Sequence, residues 1–303
     1  TPFCVARSGR AIALKRGSVF ASGLQAGVTD ARLMIQRDVT DTQLNPERFN
    51  VLAYGAGAMP VIDGTGVRFA LRTGNTAAAR HHGFVTISGI ECRGAMTTAS
   101  GAAGMFFGAA TSGDEATTPS SVKVIDCRVR DITHPAGTEV SSDINGMQFF
   151  GADNGVYGCT IRDTWDDGIW STGARVEIVG NNVARSGAST ATFPNRQRGD
   201  CIQVTGSAVQ HGAYVGGNII DHSAASQKHA LILNHEVNGT NVRSENVRIE
   251  WNDIIGYRGS SGATQIGLYC SGFNGDVLNN LIDVGHTDSA QNAVVLTAGA
   301  RFM

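Results

Sequence analysis

Several things are scarce or missing in this chain. Its six cysteines (Cys4, Cys92, Cys127, Cys159, Cys201 and Cys270) show no C-x-x-C spacing, which disfavours a zinc site. No run of about eighteen apolar residues occurs, so nothing reads as a membrane span. Charged residues make up only 17% and form no basic run, which leaves no electrostatic footprint for nucleic acid. Proline numbers 6, and helical 3.6-residue periodicity is weak throughout. Of the 24 basic residues only Lys15, Lys123 and Lys228 are lysines.

What is present is glycine, 39 of 303 residues, with 42% hydrophobic residues and a net charge of −2. That is enough apolar side chain for a sizeable core, and disorder is excluded as the main state. Many glycines with few prolines fit many tight turns between strands. Five of the cysteines sit inside alternating apolar strings, where cysteine acts as a small hydrophobe. They read as free thiols, which points to folding in a reducing cytoplasm even if the product works outside the cell.

From about residue 84 a two-part phrase recurs. Its first part is a small residue, an apolar one, then alternation: Gly104-Met105-Phe106-Phe107, Gly146-Met147-Gln148-Phe149, Gly168-Ile169-Trp170-Ser171, Cys201-Ile202-Gln203-Val204, Ala230-Leu231-Ile232-Leu233, Gly267-Leu268-Tyr269-Cys270 and Ala293-Val294-Val295-Leu296. The second part is an alternating string closed by Asn or Cys, with an apolar residue two further on. Asn181, Asn218, Asn252 and Asn280 hold that slot in later copies, and Cys127 and Cys159 in earlier ones. The copies are 22 to 42 residues apart, so a fixed rung carries loops of variable length. Strands this short are not stable alone. The arrangement that buries all of them is a parallel β-helix, each coil stacked on the last. Ile169, Ile202, Leu231, Leu268 and Val294 are expected to stack inside it, and the asparagines to form a ladder at one turn. The expected organisation is a single domain over 1–303, with 1–83 as N-terminal rungs or cap and 84–303 as regular rungs with a groove.

Long loops before the first-phrase strand (186–199, 222–228, 256–264) and after it (108–121, 234–246) would flank one sheet face as a groove. Aligned strand starts give a column of Asn145, Asp167, Asp200 and His229. Titratable groups one strand spacing apart couple strongly, which is how an acid and a base coexist at one pH. Asp166 and Glu236 are alternative carboxylates. Trp165, Trp170, Arg196, Arg198, Gln203, Lys228 and Tyr269 lie around the column as candidate substrate contacts, Trp170 as an outward platform for a sugar. Strict alternation would turn Asp167 inward with Ile169; the column faces the groove only if the chain bends before the strand.

The repeat, with Leu14-Lys15-Arg16-Gly17 and the stretch from Tyr54 to Gly64, resembles the right-handed parallel β-helix, or pectin lyase-like, superfamily. The strings Trp165-Asp166-Asp167-Gly168, Arg198-Gly199-Asp200-Cys201 and Lys228-His229-Ala230 resemble the active site of its polygalacturonase-type glycoside hydrolases. The resemblance implies catalysis by Asp167, Asp200 and His229. It also departs: Gly199 stands where those enzymes have the usual general acid, and Tyr269-Cys270-Ser271 replaces their Arg-Ile-Lys clamp. Rung phrases shared with phage-encoded members imply a tailspike-like depolymerase, homotrimeric and located outside the cell or on a virion. The expected activity is glycoside hydrolysis without a cofactor. The alternatives are a lyase using Lys228, His229, Arg196 and Arg198, with Ca²⁺ on Asp166, Asp167 and Asp200, and a spike that holds glycan without cleaving it.

Overall fold

The computed structural model describes residues 11–21, 30–35, 48–73, 84–97, 101–108, 121–134, 144–187, 199–205, 212–222, 229–234, 236–237, 240–241, 244–257, 266–271, 273–284, 292–297 and 301–302. Its strands are assembled into three parallel sheets, and each coil contributes one strand to each. Sheet A has ten strands, from Ala11–Lys15 to Arg301–Phe302; sheet B has nine, from Val19–Phe20 to Leu281–Val284; sheet C has nine, from Ala31–Ile35 to Asn292–Thr297. One small antiparallel hairpin, Glu236–Val237 with Thr240–Asn241, stands apart. The expected all-β solenoid is the fold found.

The sequence phrases map onto it directly. The first phrase is the sheet C strand. Its inward column runs Met105, Met147, Ile169, Ile202, Leu231 and Leu268 in register, every member fully buried. Val294 continues it, partly buried against the same core. The second phrase is the turn from sheet A to sheet B. There Asn218 Oδ1 accepts the backbone N–H of Asn181 at 2.9 Å and its side-chain N–H at 3.0 Å. Asn252 does the same for Asn218, and Asn280 for Asn252. Cys159 continues the ladder by donating its N–H to Asn181 Oδ1 at 2.9 Å. Each side chain satisfies amides that a sharp turn would otherwise bury unpaired. Cys92, Cys127, Cys159, Cys201 and Cys270 are buried free thiols. Among the described residues no helix is long and apolar enough to cross a membrane.

Sheet C departs from strict alternation, and this decides where the polar column points. The strands that carry the column turn two successive residues inward: Gly168 with Ile169, Cys201 with Ile202, Ala230 with Leu231. A Cβ on Gly168 would lie 2.5 Å from Ser186 Oγ and 2.6 Å from the Cys201 carbonyl, which is why a small residue opens each phrase. The doubled inward step acts as a bulge and returns the residue before it to the outside. Ala31, Phe69 and Ala103, in the same column as Asn145, pack with outward Phe106 in a cluster separate from the main core.

Candidate functional site

Two columns therefore run side by side along the outer face of sheet C. One is Asn145, Asp167, Asp200 and His229. The other, in register, is Arg72, Phe106, Gln148, Trp170, Gln203, Ile232 and Tyr269. The bend required by the sequence reading is present.

The first column is a hydrogen-bonded ladder. Asn145 Oδ1 accepts the backbone N–H of Asp167 at 3.1 Å, and Asp167 Oδ1 accepts that of Asp200 at 2.8 Å. Asp200 Oδ1 accepts that of His229 at 3.0 Å and also meets His229 Nδ1 at 2.8 Å. With an acceptor carboxylate on Nδ1, the imidazole proton is held there and Nε2 is the basic nitrogen. The His229 side chain is 8% exposed and that of Asp200 5%. The His229 ring lies 5.7 Å from the ring of Tyr269, one rung on.

The remaining candidates divide. Trp170 is outward and half-buried; its Nε1 donates to Thr205 Oγ1 at 2.9 Å and its ring stands edge-on to Phe150 at 5.5 Å. Gln203 and Tyr269 are half-buried on the same face. Trp165 lies elsewhere, in the main core and edge-on to His134 at 4.6 Å. Asp166 is buried beside Asp167, at the corner where the chain enters sheet C, and its backbone N–H donates to the Ile144 carbonyl at 3.0 Å. Glu236 belongs to the small hairpin. Arg196, Arg198 and Lys228 lie outside the described residues. Among those described, no group of three His, Cys, Asp or Glu is placed to hold a metal ion, and Asp166, Asp167 and Asp200 do not form one.

Gly199 is the informative departure. Its φ is +103°, and a Cβ there would lie 2.6 Å from Gly187 Cα and 2.8 Å from the Asp166 carbonyl oxygen. Both obstacles are backbone, so the position where the resemblance in sequence would place an acid is sterically closed in this chain. Gly199→Asp is expected to lower the melting temperature markedly and to add no activity, as read by thermal unfolding and turnover.

His222, overlooked in the sequence, joins the site from the side. It follows the sheet B strand Ile219–Asp221 and is fully buried. Burial pushes its pKa down to about 4, against the pull of Asp200 and Asp221 and with the help of His229. The unfolded imidazole takes a proton near pH 6.5 and the folded one does not until about 4. Stability is therefore full above pH 6.5 and falls as the pH drops from there toward 4. Replacing His222 with an apolar residue should flatten that part of the pH–stability curve, as read by denaturant midpoints. Its only sequence signal was a histidine after an alternating string, and nothing along the chain tied it to Asp200.

No protein-family model matches the sequence, and no curated protein does either. Among solved structures, a pectate lyase, Pel9A, superposes with a TM-score of 0.51 at 14% identity, over 95% of this chain and 72% of that one. The chain is a right-handed parallel β-helix. Other β-helices of similar shape are an alginate lyase from Paenibacillus, with TM-score 0.48, 12% identity and coverage of 97% and 94%, and the Dettilon tailspike, with TM-score 0.46, 12% identity and coverage of 88% of this chain and 55% of the tailspike. At 14% identity the likeness to Pel9A establishes the fold alone. The site has to be read from its own residues.

Proposed function

We propose that this β-helix is a polysaccharide-degrading enzyme that works outside the cell or on a virion, and that the outer face of sheet C is where the glycan is cut. The observation that carries the reading is the Asp200–His229 pair: a carboxylate fixing an imidazole at 2.8 Å, on a sheet face that also presents Trp170, Gln203 and Tyr269. An aromatic face beside oriented polar groups suits a sugar ring, whose C–H groups stack while its hydroxyls bond.

Elimination is the step these residues perform best. His229 Nε2 takes the proton from the carbon beside a uronate carboxyl group. The electrons left behind form a carbon–carbon double bond, the glycosidic C–O bond breaks, and Tyr269 gives its phenolic proton to the departing oxygen. Asp200 holds the ring and stabilises the imidazolium that forms. Hydrolysis is the second reading, favoured by Asp167 and Asp200 standing on adjacent rungs, about 5 Å apart by strand spacing; a separation that short suits a retaining pair. It ranks second because a hydrolase needs one carboxyl group as proton donor. The position where the resemblance in sequence places that donor is closed at Gly199.

Incubation with a panel of uronate-containing and neutral polysaccharides tests this. Elimination gives ultraviolet absorbance from the new double bond, hydrolysis gives reducing ends without it, and a glycan-holding spike gives neither.

A further inference from the structure

One polar pair on the same face plays no part in that chemistry. Asn145 and Gln148 both face outward from the strand Ile144–Phe149, one rung before Asp167 and Trp170. Asn145 is fully buried and Gln148 is 3% exposed. Among the described residues Asn145 Nδ2 and Gln148 Oε1 each lack a hydrogen-bond partner. The bond from the Asp167 N–H to Asn145 Oδ1 fixes the amide of Asn145, so its unused atom is the donor. An unmade hydrogen bond at a buried amide is costly, and folded proteins rarely leave two together without a reason.

We infer that Asn145 and Gln148 form a specificity subsite for a secondary amide on the glycan, the acylamino group of an N-acylated amino sugar. The amide carbonyl would accept from Asn145 Nδ2 and its N–H would donate to Gln148 Oε1. The two side chains leave the strand three residues apart, about 10 Å along an extended chain. A planar amide, with acceptor and donor pointing opposite ways, fits between them better than a single hydroxyl oxygen. The subsite lies beside Asp167 and Trp170, so it would read the sugar next to the bond being cut; in this the inference rests on the function proposed above. A site built to bond an amide rejects a sugar lacking it strongly, because its buried groups are then left unpaired.

Saturation-transfer NMR on the whole protein tests it without requiring cleavage. The probes are N-acetylglucosamine and N-acetylgalactosamine, against glucose and galactose. The N-acetyl sugars should bind with transfer concentrated on the acetyl methyl, and the plain sugars at least about tenfold more weakly, as expected for two lost buried hydrogen bonds. Gln148→Met, which keeps the side-chain volume, should abolish the preference. So should Asn145→Asp, which keeps the acceptor for Asp167 and removes the donor. Equal binding of both sugar classes, no binding of either, or a preference unchanged in both folded variants overturns the subsite. Amide-dependent binding in a protein that cleaves no polysaccharide keeps the subsite and overturns the enzymatic reading instead.

Discussion

Asp200→Asn is expected to reduce glycan cleavage by at least about a hundredfold, the usual scale for losing acid–base help, with little change in glycan affinity or melting temperature. The substitution is nearly isosteric. Asn keeps an oxygen that can accept the backbone N–H of His229, so the ladder that spans Asn145, Asp167 and His229 stays intact. What it loses is the negative charge at 2.8 Å from Nδ1. Without that charge the imidazole is free to take the other tautomer, and the cation formed when it gains a proton is no longer stabilised. His229→Gln should cost as much, since it removes the basic nitrogen itself. Asp167→Asn separates the two readings of the reaction: as half of a hydrolytic pair it would cost about as much as Asp200→Asn, and as a ladder member far less. Initial rates and glycan dissociation constants for the three variants check this.

The second large effect is on the fold. Ile202→Asp should destabilise the protein by more than about 4 kcal/mol, the range reached only by such mechanisms as an unpaired buried charge. Ile202 is fully buried and sits between Ile169 and Leu231 in the interior column of sheet C. A carboxylate there would meet only apolar neighbours above and below. Gln203→Asp, one residue on, places the same charge on the half-buried outer face and should cost much less. The contrast in denaturant midpoints between these two neighbours reads out the inward–outward assignment directly.

The solenoid was legible because its signal repeats. A small residue followed by an apolar one recurred seven times, and Asn181, Asn218, Asn252 and Asn280 recurred at one register; coils that stack must keep their inward and turn positions whatever the loops do. The column of Asp167, Asp200 and His229 was legible for the same reason, as a register position. Its direction was not. Period-two reasoning places Asp167 with Ile169, and only the doubled inward step at Gly168–Ile169, which the crowding around Gly168 reserves for a residue without a side chain, turns it outward. Trp165 looked like a groove residue from its closeness to Asp166 and Asp167, yet it precedes the corner into sheet C and packs inside. His222 belongs to sheet B's strand end and meets Asp200 only through the coil, a proximity that no spacing along the chain encodes. Gly199 was visible as a departure from the hydrolase pattern, but its meaning, a closed position rather than an exchanged residue, needed the backbone around it.

The most direct test of the account is a crystal structure of the His229→Gln variant soaked with an oligosaccharide of a polymer that the wild type cleaves. The account predicts the chain lying on the outer face of sheet C, against Trp170 and Tyr269, with the carbon or oxygen that exchanges a proton beside residue 229. A glycan bound instead to the outer face of sheet A or sheet B, with sheet C bare, would contradict it.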